Sequence, residues 1–77
     1  MTVNEICEYI TKLKYDSKKA GKTKIILTSG ELHKNLDLKD RMPSVCRAMY
    51  HCMHHKDTIL HTTPSGFSST IKIEYNL

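Results

Sequence analysis

The stretch RMPSVCRAMYHCMHH, Arg41 to His55, gathers two arginines, three histidines (His51, His54, His55) and two cysteines (Cys46, Cys52). Three chemistries can be built from such a set. Neutral imidazole and thiolate bind zinc, and His51 and His55, four apart, share a face if the segment is helical. Cys46 and Cys52 are six apart, about 120° around an ideal helix, so they do not converge with both histidines. A metal site would need a further ligand such as His61. Histidines at a helix C-terminus are accounted for by the macrodipole, and neither metal nor cofactor is expected. A Cys/His nucleophile needs a base within hydrogen-bond reach, an orienting group and a pocket. So short a chain offers no evident cleft, so no catalytic residue is assigned and no enzyme is expected.

The third chemistry is a helix whose wet face meets a partner. In a helix-turn-helix the second helix enters the major groove, and its N-terminal residues reach base edges. Here those are Arg41, Ser44 and Arg47, with His51 farther along; arginine can give guanine two hydrogen bonds. The plainer alternatives are ordinary surface arginines, or arginines paired with Asp37 and Asp40. Ser29 and Gly30 open the preceding helix and can offer amides to a phosphate, or act as a cap and nothing more. Farther on, Ser65, Ser68 and Ser69 are candidates for phosphate or sugar contacts. Phe67 either touches a groove wall or folds back on the core. The loop Thr62 to Thr70 carries no lysine or arginine, which weakens its grip on DNA.

Positioning these groups is the task of the surrounding elements. Thr2 and Glu5 have capping-box spacing. Val3, Ile6, Cys7, Ile10 and Leu13 follow at helical intervals, and Gly21 marks a stop, so a first helix is expected over residues 3 to 19. KIILT, Lys24 to Thr28, is β-branched and too short for a helix, hence a strand. Thr28 and Glu31 repeat the capping-box spacing before a helix from Ser29 to Leu36. Asp40 is placed to cap a third helix from Arg41 to about His54, with Pro43 tolerated in its first turn. Met42, Val45, Cys46, Met49, Cys52 and Met53 form its apolar stripe. Ser44, Arg47, Ala48, His51 and His55 fall opposite. Ile71, Ile73, Tyr75 and Leu77 alternate with polar residues as a half-buried strand does. Thr58 to His61 is its antiparallel partner, and TPSGFSS between them is expected to project as a flexible loop. The core is expected to gather Ile6, Ile10, Leu32, Leu36, Val45, Met49, Ile71 and Ile73.

A chain of 77 residues, 39% hydrophobic and 26% charged, makes a single globular domain, residues 1 to 77. No apolar run approaches the roughly 18 residues that span a bilayer, and no signal-peptide core is evident, so no membrane partner is expected. Three cysteines without a CxxC pair fit free core thiols and a reducing, cytoplasmic setting. The net charge of +4 is unevenly spread. Residues 12 to 24 hold six lysines against Asp16, and residues 33 to 56 hold five basic residues against Asp37 and Asp40. Such segregation favours an anionic partner, with Lys18 and Lys19 as phosphate contacts.

The expected order is helix, strand, helix, helix, strand, loop, strand: an α+β winged helix-turn-helix with three helices and a small antiparallel sheet. SGELHKNLDLKDRMPSVCRAM and ILHTTPSGFSSTIKIEY together resemble small bacterial and archaeal domains with the pattern SG-x-LH-x-x-L-x-L-x-x-RMP-x-VC-x-AM. Those domains stand alone or are attached to restriction-type endonucleases. The resemblance spans residues 29 to 75, is most specific at RMP-x-VC, and implies a DNA-linked role. The functional expectation is a winged-helix protein that binds double-stranded DNA, as a transcription regulator or as the targeting subunit of a larger DNA-processing system. Its rival is a winged-helix interaction module docking an acidic protein. The sequence leaves the oligomeric state open.

Overall fold

The computed structural model describes all residues, Met1 to Leu77. The elements are α1 (Val3–Lys19), β1 (Lys24–Thr28), α2 (Ser29–Asn35), α3 (Met42–His51), β2 (Thr58–His61) and β3 (Lys72–Asn76). The protein is therefore α+β, with three helices and a three-stranded antiparallel sheet in the order β1-β3-β2.

The start of α1 follows from local chemistry. The Glu5 amide donates to Thr2 Oγ1 at 3.2 Å and the Thr2 amide to Glu5 Oε1 at 2.9 Å, so two orphan donors of the first turn are satisfied reciprocally. Ile6 and Ile10 are fully buried beneath it. At its end Gly21 takes φ 91°, a left-handed conformation open to glycine at little cost.

Two other expected caps do not form. Thr28 stands at the N-cap of α2 and makes no side-chain cap bond; it is also the last residue of β1, opposite Lys72 in the β1–β3 ladder. Asp40 sits at φ 54° in the α2–α3 turn, and the N-cap of α3 is Arg41. The Arg41 amide donates instead to His33 Nε2 at 3.2 Å, so a side chain of α2 fixes where α3 begins. Pro43 lies in the first turn, where an amide hydrogen has no helical acceptor.

α3 also ends at His51, before the expected His54. Cys52 is its C-cap, the Met53 amide closes on the Tyr50 carbonyl, and Asp57 Oδ2 accepts the His54 amide at 2.8 Å. The other Asp57 oxygen accepts the Asn76 amide at 2.8 Å, pinning this turn to the end of β3. His55 thus lies outside the helix, and the expected His51/His55 pairing on one helical face is not made.

The fully buried core is Ile6, Ile10, Leu32, Val45, Cys46, Ala48, Met49, Ile71, Ile73 and Tyr75, joined by Ser29. Leu36, expected among them, is half-buried at the edge. Ala48, expected on the wet side of α3, is buried because α1 crosses that side: Cys7 Sγ lies 3.7 Å from the Ala48 carbonyl. Tyr75 enters the core with its hydroxyl donating to the Met49 carbonyl at 2.7 Å, so its one polar atom is satisfied. Lys14 lies 4.3 Å from the centroid of the Tyr75 ring and donates to the Cys52 carbonyl, which ties α1 to the end of α3.

Candidate nucleic-acid interface

Burial of Val45, Cys46, Ala48 and Met49 leaves one arc of α3 at the surface. Ser44, Arg47 and His51 are three and four residues apart, within about 60° of one another on an ideal helix. Arg47 and His51 are exposed and Ser44 is half-buried, with exposed Arg41 just before the helix. Neither arginine has a carboxylate partner: the one ion pair in the chain is Lys24–Glu74, at 3.3 Å. The alternative in which Asp37 and Asp40 neutralise these arginines is therefore not realised.

Arg47 is braced from the β2–β3 connection. Its guanidinium lies 5.8 Å from the centroid of the Phe67 ring, within cation–π range. Phe67 meets Tyr50 edge-to-face, centroids 6.4 Å apart with an 81° interplanar angle. The Tyr50 hydroxyl donates to the Gly66 carbonyl at 2.7 Å, and Gly66 takes φ 73° in the turn closed by its amide on the Thr63 carbonyl. The Ser68 carbonyl accepts from Cys46 Sγ, at 3.4 Å, and from Ser29 Oγ. The Gly30 amide donates to the Ser69 carbonyl at 2.9 Å. The connection expected to project freely is instead clamped along α3 and the start of α2. Aromatic stacking and backbone acceptors, absent from a hydropathy pattern, account for the difference.

This clamp also corrects the expectation for Ser29 and Gly30. Ser29 is fully buried, its amide donates to the Ile71 carbonyl at 2.9 Å, and its hydroxyl accepts the Ile71 amide at 3.1 Å. A Cβ on Gly30 would stand 2.7 Å from the Ser69 carbonyl oxygen. Both amides are spent inside the protein and neither is offered to a phosphate.

In the loop, Ser65 is exposed while its hydroxyl lies 3.3 Å from Thr63 Oγ1 and accepts the Phe67 amide at 3.3 Å. Ser68 is half-buried, its hydroxyl 3.1 Å from Thr70 Oγ1. Ser69 is exposed, and Phe67 is 43% exposed despite folding back. Lys18 and Lys19 stand exposed on the last turn of α1, where with Tyr15 they border a surface hollow of about 260 Å³. No hydrogen bond or ion pair links this hollow to the arginine face of α3.

Cys46 and Cys52 sit in surroundings that favour the thiol. Burial pushes the Cys46 thiol up, against a smaller opposing effect of its Ser29 and Ser68 contacts. Burial, the hydrogen bond with Cys7 and the Cys7 charge push Cys52 up to about 11. All three cysteines are free, and no group of three or more His, Cys, Asp and Glu side chains is arranged to hold a metal. The largest surface groove, about 540 Å³, runs beside β1 and is bordered by Leu13, Ser17, Lys22, Lys24, Ile25, Ile26 and Leu27, with no histidine, cysteine or carboxylate. No helix is long and apolar enough to cross a membrane.

The residues that sequence reasoning missed are those that hold the arginine face in place: Tyr50, Gly66 and His33. Tyr50 lies one turn beyond Arg47 on the exposed side, a spacing that hints at a neighbour, but its acceptor is sixteen residues away. No family model matches the sequence, and no curated protein or solved structure shows significant similarity to it.

Proposed function

We propose that the chain is a winged helix-turn-helix domain that binds double-stranded DNA, with α3 as the helix that enters the major groove. The observation that carries this reading is the exposed face of Arg41, Ser44, Arg47 and His51, whose arginines have no carboxylate partner. Leaving two guanidinium groups unpaired on one helix face suits an anionic ligand, and the fork of arginine suits guanine O6 and N7. The clamp through Phe67 and Tyr50 supports it further, because a braced guanidinium loses less freedom on binding.

In this reading the β2–β3 connection is the wing. It has no basic residue, so it guides α3 and contributes little to phosphate affinity; Ser65 and Ser69 are its exposed serines and Ser29 is structural. Lys18 and Lys19 add to the positive field that draws DNA in, an effect that falls off over roughly 8 to 10 Å at physiological salt. The biological setting consistent with such a domain is a transcription regulator or the targeting subunit of a DNA-processing system.

The test is selection from a randomised duplex pool at two salt concentrations. Enrichment of a guanine-containing motif, with affinity that falls as salt rises, is the expected outcome. If no duplex binds at either salt, the DNA reading fails and an acidic protein becomes the ligand for the same face.

A further inference from the structure

α1 and α3 meet where each carries a cysteine: Cys7 lies in the second turn of α1, and Cys52 is the C-cap of α3. Their contacts are reciprocal. Cys7 Sγ lies 3.7 Å from the Ala48 carbonyl oxygen, which also accepts the Cys52 amide at 3.0 Å. Cys52 Sγ in turn lies 3.8 Å from the Cys7 carbonyl oxygen, and the two thiols share a hydrogen bond. Such mutual approach is what a disulfide requires, since its two Cα atoms stand only about 4.4–6.8 Å apart.

The pair is held in place by its surroundings. Lys14 donates to the Cys52 carbonyl while its ammonium rests on the ring of buried Tyr75. Both backbone polar groups of Cys52 are thereby tied down. The third cysteine stands apart: Cys46 is fully buried, its thiol 3.4 Å from the Ser68 carbonyl oxygen, and six residues from Cys52 is about 120° around an ideal helix. Cys7 is only half-buried, open to a small oxidant, and Cys52 needs only to meet Cys7.

We propose that Cys7 and Cys52 form a reversible disulfide, a redox modification site that staples α1 to the end of α3. The oxidant is a low-molecular-weight disulfide of the glutathione type. The Cys7 thiolate attacks one sulfur of the oxidant, forming a mixed disulfide and expelling one glutathione thiolate. The Cys52 thiolate then attacks the Cys7 sulfur and expels the second. Two protein thiols are oxidised, one glutathione disulfide is reduced to two thiols, and the two protons lost by the protein pass to them. Burial, the hydrogen bond with Cys7 and the Cys7 charge push Cys52 up to about 11. Its thiolate is therefore scarce at neutral pH, which suits it to the intramolecular step, where proximity offsets scarcity. The bond joins residues 45 apart in the chain, so it removes much freedom from the unfolded state. The inference stands or falls independently of DNA binding.

The test is incubation of the folded full chain with oxidised glutathione in excess over reduced glutathione, then acid quenching, denaturation, alkylation of the remaining thiols and mass spectrometry of the chain and its peptides. The expected product has lost two hydrogens, carries one alkylated cysteine, Cys46, and yields peptides joined through Cys7 and Cys52. Its Tm should rise by roughly 10 °C or more, and dithiothreitol should return it to the starting value. Cys46→Ala should still form the bond, whereas Cys7→Ser and Cys52→Ser should each lack both the joined peptides and the rise in Tm; circular dichroism verifies that each variant is folded. Three alkylated cysteines, or glutathione adducts without an internal bond, overturn the proposal. So does a bond to Cys46, or a Cys7–Cys52 bond that lowers Tm, because the folded chain then does not hold these thiols in bridging geometry.

Discussion

Ser29→Ala is the most informative perturbation of the fold. In a continued antiparallel ladder the Ile71 amide would donate to the Ser29 carbonyl. At Ser29 the chain turns from β1 into α2, and the hydroxyl takes that amide instead, at 3.1 Å in the buried core, while donating to the Ser68 carbonyl. Alanine leaves the Ile71 amide buried without an acceptor, at a cost of about 1–3 kcal/mol. The Ser68 carbonyl keeps only the weaker Cys46 thiol contact at 3.4 Å. A loss of about 2 kcal/mol corresponds to a fall in Tm of roughly 10 °C for a domain of this size. The assay is urea and thermal unfolding followed by circular dichroism, with faster exchange of the Ile71 amide as the local signature. Thr28→Val is the control: because Thr28 makes no cap bond, it should stay within about 0.5 kcal/mol of wild type. A Ser29→Ala variant as stable as wild type, or a Thr28→Val variant that loses more, would refute the assignment of the junction to Ser29.

Gly30→Ala should destabilise the protein by about 1–3 kcal/mol, because its Cβ would meet the Ser69 carbonyl oxygen at 2.7 Å; Tm and the backbone shifts of residues 66–70 report it. Burial pushes the Asp57 carboxyl up, but the amides of Asn76 and His54, with the charges of Lys14 and His54, outweigh it and hold it below the usual carboxylate value. A depressed folded value means that its stabilisation is present above the unfolded value of about 3.9 and is lost as pH falls through the folded one. Asp57→Asn should therefore flatten that part of the acid-unfolding curve. Cys46 and Cys52, both with raised values, should react slowly with iodoacetamide at neutral pH and rapidly once the chain is denatured; fast native labelling would contradict their burial.

The parts of the fold legible in the sequence are those fixed by neighbours along the chain. Thr2 and Glu5 are three residues apart and form their box; the Ile6/Ile10 and Val45/Met49 spacings locate buried helix faces. Thr28 and Asp40 show where local rules lose: Thr28 stands at the N-cap of α2 without a side-chain cap bond, and the turn before α3 places Asp40 at positive φ. Ala48 was misread because alanine suits either side of a helix, and only the crossing of α1 decides. In the candidate site, the shared face of Ser44, Arg47 and His51 was legible from helical periodicity, whereas Arg41 precedes the helix as its N-cap. Their brace was not, because the Tyr50–Gly66 and Arg47–Phe67 contacts join segments that nothing local connects. The spent amides of Ser29 and Gly30 escaped for the same reason, since their partners lie about forty residues on.

The central claim, that the arginine face of α3 reads DNA, is tested most directly by titrating a selected duplex and its single-base variants with wild type, Arg47→Ala, Lys18→Ala and Lys19→Ala at two salt concentrations. The account predicts that Arg47→Ala weakens binding by about 1–3 kcal/mol and relaxes preference at one base position. Lys18→Ala and Lys19→Ala should instead weaken all sequences alike and lower the salt slope. Equal affinity of wild type and Arg47→Ala for every duplex, or no salt-sensitive binding by wild type, would contradict it.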